Sequence, residues 1–143
     1  MNIFTIGFAQ KSAEEFFKLL VDNNVKKLID IRLNNKSQLA GFANAKHLPY
    51  FLKLHNIDYE YKIDLAPSKE LLNGYKDKSV SWEEYVKVYN QILIDRDVIK
   101  NISINELDNI VLLCSEPTAE QCHRRLMAEY LAHNFKDINI KHL

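Results

Sequence analysis

Apolar positions along the chain repeat with two periods, one suited to strands and the other to helices. Residues 2–7 (NIFTIG) form a short β-rich run ended by a glycine and read as a first strand. Ser12, Ala13, Glu14 and Glu15 then spell a helix capping box. Phe16, Phe17, Leu20 and Val21 follow at the spacing of one helical face. Residues 26–32 (KKLIDIR) are a second strand, apolar at Leu28, Ile29 and Ile31. Strand, helix and strand within about 30 residues make a βαβ unit, so the two strands are expected to be parallel.

Residues 34–46 are polar and irregular apart from Leu39 and Phe42, and a loop of that length in a compact domain often carries function. A helix is expected over 47–55, and 58–64 (DYEYKID) alternates like a strand with one solvated face. Pro67 and Ser68 open a short helix through Tyr75. Ser81, Trp82, Glu83 and Glu84 form a second capping box, with Trp82, Tyr85, Val86, Tyr89 and Leu93 on one face. Residues 109–114 (NIVLLC) hold the unbroken apolar run of a strand covered on both sides. Thr118, Ala119, Glu120 and Gln121 are a third capping box, predicting a helix over 118–133, and 137–143 (DINIKHL) is a last strand. The pattern predicts an α/β three-layer sandwich around a mainly parallel sheet of about five strands. No repeat, low-complexity tract or linker interrupts it, so residues 1–143 are expected to form one domain.

Charge narrows the function classes. The chain has 143 residues with 19 basic and 19 acidic side chains, and zero net charge argues against binding nucleic acid or an anionic membrane through bulk electrostatics. The basic residues are 15 lysines and only four arginines: Arg32, Arg96, Arg124 and Arg125. No apolar run approaches the roughly 18–20 residues of a membrane span, and the start lacks the pattern of a signal peptide. Two cysteines do not make a disulfide framework, so the reducing cytoplasm is the expected compartment.

In a parallel α/β sheet, ligands bind outside the carboxyl ends of the strands. Gly7, Asp30, Arg32, Cys114 and Glu116 are expected there. The segment from Cys114 to Arg125 (CSEPTAEQCHRR) is the densest reactive cluster in the chain. A cysteine facing the N–H groups of a following helix sits in positive potential, which favours the nucleophilic thiolate. The same N–H groups and an arginine fork would hold an anion. Each residue also has a plain structural use. Cys114 suits a sheet core, and Cys122 shares the helical face of Leu126 and Tyr130. His123 and Arg124 suit a first helical turn. Arg125 can pair with Glu129, and Asp30 with Arg32.

Metal is disfavoured. Cys114, Cys122 and His123, with Glu116 or His47 as a fourth ligand, lack C-x-x-C spacing, and adjacent helical residues point about 100° apart. There is no G-x-G-x-x-G, Walker loop, G-x-S-x-G or H-E-x-x-H motif, so no cofactor and no metal are expected. The seven tyrosines sit mostly at helical or alternating spacing, which favours packing over a base-stacking platform.

Thr5-Ile6-Gly7, Leu28 to Arg32, Asp64 to Leu72, Leu113 to Pro117 and Cys122 to Leu126 together resemble the domain of unknown function 488 family over nearly the whole chain. The resemblance implies a small α/β domain of bacterial or archaeal type and supplies no activity. Phe8 and Ala9 depart from it, because members usually carry His-Ser after the glycine; a general base from that loop is therefore missing. The order of segments is also similar to rhodanese-like sulfurtransferases. The loop after Cys114 is acidic and proline-containing, however, and would repel thiosulfate or phosphate. The tyrosine-phosphatase pattern fails because position 120 is Glu.

Two readings follow. In the first, the protein is a cytosolic enzyme acting on a small anionic substrate. Cys114 is its nucleophile, Glu116 an acid/base group and His123 a proton carrier, while Asp30, Arg32, Arg124 and Cys122 form the binding shell. In the second it is a nucleic-acid or nucleotide binding module using Arg32, Arg124, Arg125, Lys36 and Lys46. A structural hydrogen-bond network is the blander use of the same residues.

Overall fold

The computed structural model describes residues 1–36 and 40–143. Five strands form one all-parallel sheet: β1 (Asn2–Gly7), β2 (Lys27–Asp30), β3 (Asp58–Tyr61), β4 (Ile110–Cys114) and β5 (Asn139–His142), in the order β3-β2-β4-β1-β5. Five α-helices connect them: α1 (Ala13–Asp22), α2 (Leu48–Leu54), α3 (Lys69–Lys76), α4 (Trp82–Asp95) and α5 (His123–Asn134). The sheet is parallel as expected, but β1 and β2 are not neighbours. Strand β4 lies between them and pairs with both.

Alternation along the strands builds two cores. Phe4 and Ile6 of β1, Leu28 of β2, and Val111 and Leu113 of β4 pack against Phe16, Phe17 and Leu20 of α1 and Leu48 and Leu52 of α2. On the other face Ile3, Ile29, Ile110 and Leu112 meet Tyr85, Tyr89 and Leu93 of α4 and Leu126, Met127 and Leu131 of α5. Strand β4 is buried at all five positions, which is why its sequence is a continuous apolar run. Among the described residues no helix is long and apolar enough to cross a membrane.

Two of the three capping boxes work as written. The Ser12 hydroxyl accepts from the Glu15 amide at 3.1 Å, and Ser81 accepts from the Glu84 amide at 3.2 Å. The third does not. Helix α5 begins at His123, with Cys122 as an N-cap that lends no side-chain bond, and residues 115–122 are turns and bends. Tertiary contacts hold that segment instead. The Ala9 amide donates to Ser115 O at 3.0 Å, the Tyr75 hydroxyl donates to Gln121 Oε1 at 2.6 Å, and Ala119 and Cys122 are buried. Within the loop expected over 34–46, residues Gly41–Ala43 form a 3-10 turn; Leu39 lies outside the described residues.

Candidate functional site

The strand order reverses between β1 and β4. From β1 the chain crosses by α1 on one face toward β2; from β4 it crosses by α5 on the opposite face toward β5. A doubly wound sheet has its crevice at such a point, outside the carboxyl ends of the two strands. Gly7 and Cys114 are paired there, the last residues of β1 and β4. The chain after Cys114 passes so closely over Gly7 that a Cβ at position 7 would overlap the carbonyl oxygen of Glu116. Gly7 is required by this approach and not by backbone conformation, since no glycine has positive φ.

Asp30 and Arg32 form a buried bidentate pair. Arg32 Nε donates to Asp30 Oδ1 and Nη2 to Oδ2, both at 2.8 Å, with the side chains 2% and 0% exposed. Tyr59 donates to Asp30 Oδ2 at 2.7 Å, and Tyr61 donates to the Arg32 carbonyl at 2.9 Å. Burial and the Asp30 carboxylate push the Tyr59 hydroxyl well above its ordinary range, so it stays a donor. The guanidinium carbon of Arg32 lies 5.4 Å from the centroid of the Phe8 ring. Phe8 thus supports Arg32 from the position where the resembled family carries histidine. Arg32 Nη1 is buried with no partner among the described residues.

Cys114, Cys122 and His123 converge. The strand parity that puts Ile110 and Leu112 on the α5 side puts Cys114 there too. Cys122 is extended (φ −135°, ψ 142°) immediately before the first helical residue. Its side chain therefore does not follow helical spacing, and the argument that neighbouring Cys and His must diverge fails. The two sulfurs are in bonding contact as a disulfide, a correction to the expectation of two separate thiols. The end of β4 and the cap of α5 are adjacent in space although eight residues apart. As a disulfide the pair holds no thiolate, so the nucleophilic reading of Cys114 applies to the reduced pair.

His123 is 7% exposed, and its Nε2 lies 2.7 Å from the carbonyl oxygen of Ile31. A carbonyl only accepts, so Nε2 carries the proton and Nδ1 keeps its lone pair. Burial pulls the imidazole pKa down to about 4, which leaves the ring neutral at neutral pH and a poor proton carrier there.

A cleft of about 870 Å³ opens over this cluster, lined among others by Arg32, Lys76, Lys78, Cys114, Glu116 and His123. Tyr75 and Tyr85 form part of its wall. Sequence spacing did not mark Phe8, Lys76, Lys78 or the two tyrosines as site residues. Phe8 reaches the cleft as the residue after β1, and the others come with α3, the turn after it and α4, a meeting that no local motif signals. Arg124 is 1% exposed and does not line the cleft. It lies behind the loop, with Nη1 2.6 Å from a Cβ built at Gly7, and burial lowers its pKa to about 10. Glu116 is exposed on the cleft wall, and His47 caps α2 outside the cluster. With Arg32 and Arg124 in the interior, the arginines named for a nucleic-acid surface share no exposed face. Arg125 pairs with Glu129 at 3.5 Å and stacks near Trp82.

The fold and site define a doubly wound α/β protein with a buried Cys/His cluster at its topological switch point. Residues 12–131 match the family described as "Domain of unknown function DUF488", and the chain belongs to that family. No curated protein and no solved structure matches the chain.

Proposed function

We propose that the protein is a cysteine-dependent enzyme acting on a small anionic substrate held in the switch-point cleft. One observation carries the reading: Cys114, Cys122 and His123 line the same cleft as Lys76, Lys78 and Arg32, the last already paired with Asp30, while Glu116 is the carboxylate that lines it. Arg32, held in place by Asp30, Tyr59 and Phe8, keeps one buried donor, Nη1, without a partner among the described residues, and an anion reaching the floor of the cleft would satisfy it. Of the acidic loop expected to repel phosphate only Glu116 lines the cleft, and Lys76 and Lys78 at the exposed rim outweigh it, drawing an anion in and contributing modestly to holding it. The reduced sulfurs supply the chemistry, and neutral His123 is an acceptor through Nδ1.

Calorimetric titration of the reduced protein with sulfate, phosphate and a nucleoside monophosphate tests this. Saturable binding of one of them is expected, weakened up to about fivefold by each of Lys76→Ala and Lys78→Ala, in line with exposed charge contacts of up to about 1 kcal/mol. Absence of saturable binding by any of the three, or binding indifferent to both substitutions, removes the reading.

A further inference from the structure

We propose that the reduced Cys114, Cys122 and His123 form a binding site for one divalent metal ion of the zinc class. Their ligand atoms all lie within 4.8 Å of one another, and all three residues are buried. Two sulfurs and an imidazole nitrogen are a donor set suited to Zn²⁺, which takes Cys₂His with a fourth position left to water or substrate. The orientation of His123 fits ligation independently of that proximity. A metal-bound histidine typically anchors its other ring N–H on a carboxylate or backbone carbonyl, and Nε2–H on Ile31 O at 2.7 Å is such an anchor. The anchor fixes the tautomer and leaves Nδ1 as the donor.

Electrostatics agree with the geometry. Two thiolates buried in this place would be costly alone, but a divalent ion with two thiolates and a neutral imidazole has no net charge. Such a neutral centre adds no charge beside the buried Arg124, the next residue in the chain, or beside Arg32, which Asp30 already pairs. Since Cys114, Cys122 and His123 all line the cleft, the fourth position faces it. The disulfide is the oxidised form of the same ligand pair. A phosphine supplies the two electrons that break the S–S bond and leaves as its oxide, while water supplies that oxygen and the two protons of the thiols; metal binding then releases both thiol protons. Oxidation and metal binding are therefore mutually exclusive at this site. The inference uses the cleft reading only for the open position, and metal binding is measured without any anion, so either can fail alone.

The test titrates Co²⁺, as a spectroscopic probe, into the full chain reduced with a phosphine under argon, followed by Zn²⁺ competition. One equivalent of Co²⁺ with a sulfur-to-metal charge-transfer band is expected, displaced by Zn²⁺. Cys114→Ser and Cys122→Ser should each weaken binding at least 100-fold, and the oxidised protein should bind none. Where a variant fails to fold, iodoacetamide labelling of reduced wild-type protein replaces it: stoichiometric Zn²⁺ should protect both thiols. A fully reduced protein that binds neither ion, a band unchanged in both serine variants, or thiols labelled equally fast with and without Zn²⁺ would each overturn the proposal.

Discussion

Gly7 lies beneath the carbonyl oxygen of Glu116, with Arg124 Nη1 closing the same space: a Cβ at position 7 would overlap the first and stand 2.6 Å from the second. The end of β1 therefore serves as the floor over which the Cys114 loop is laid. Gly7→Ala should destabilise the protein by about 1–3 kcal/mol or more, because backbone and a buried guanidinium must both move. Gly41→Ala, where nothing lies within 4 Å, is the control and should stay within about 0.5 kcal/mol. Urea midpoints with unchanged slopes would show the difference. Equal effects at the two glycines would contradict the close approach.

The Asp30–Arg32 pair predicts strong coupling. Asp30→Asn leaves the Arg32 guanidinium buried without its carboxylate and should cost about 3–5 kcal/mol. The Asp30→Asn/Arg32→Met double variant should recover part of that loss, since neither charge is then stranded. A double-mutant cycle by chemical denaturation measures the coupling. Strictly additive losses would mean that the two side chains act separately.

His123 predicts a pH dependence with a defined sign. Its pKa falls from an ordinary 6.5 to about 4 on folding, so between those values the unfolded chain binds more protons than the native protein. Stability from this residue is complete above pH 6.5 and is lost as pH falls toward 4, by up to about 3 kcal/mol. His142 is also lowered and acts in the same direction, so the quantity to measure is the difference between wild type and His123→Gln. That difference should grow in favour of the variant between pH 6.5 and pH 4. Parallel pH profiles would count against a buried neutral imidazole.

The two similar serine and threonine motifs should respond differently. Ser81→Ala removes a working N-cap and should cost about 1 kcal/mol. Thr118→Ala removes a residue in a non-helical loop and should stay within about 0.5 kcal/mol. Thermal unfolding of the two variants side by side is sufficient to separate them.

Local pattern carried most of the secondary structure because it reflects which face of each element meets the core. The alternation in β1, the apolar run of β4 and the helical stripe of α4 each record burial directly, and the five strands and their parallel sense follow. The placement of Asp30, Arg32 and Cys114 near strand carboxyl ends was legible for the same reason. The start of α5 was not. Thr118 to Gln121 satisfies the local rule for a cap, but Ser115 O, Gln121 and Cys122 are already engaged by Ala9, Tyr75 and Cys114.

What remained for the tertiary structure was every relation between segments distant in the chain. The insertion of β4 between β1 and β2, the meeting of Cys114 with Cys122 and His123, the Ile31 carbonyl that orients the imidazole, and the lysines that α3 and its following turn bring to the cleft all depend on such relations. A hydrophobic period states which side of an element is buried and not which element will cover it. Side-chain chemistry therefore marked the reactive residues along the chain, while strand order and the extended backbone at Cys122 decided which of them share a site.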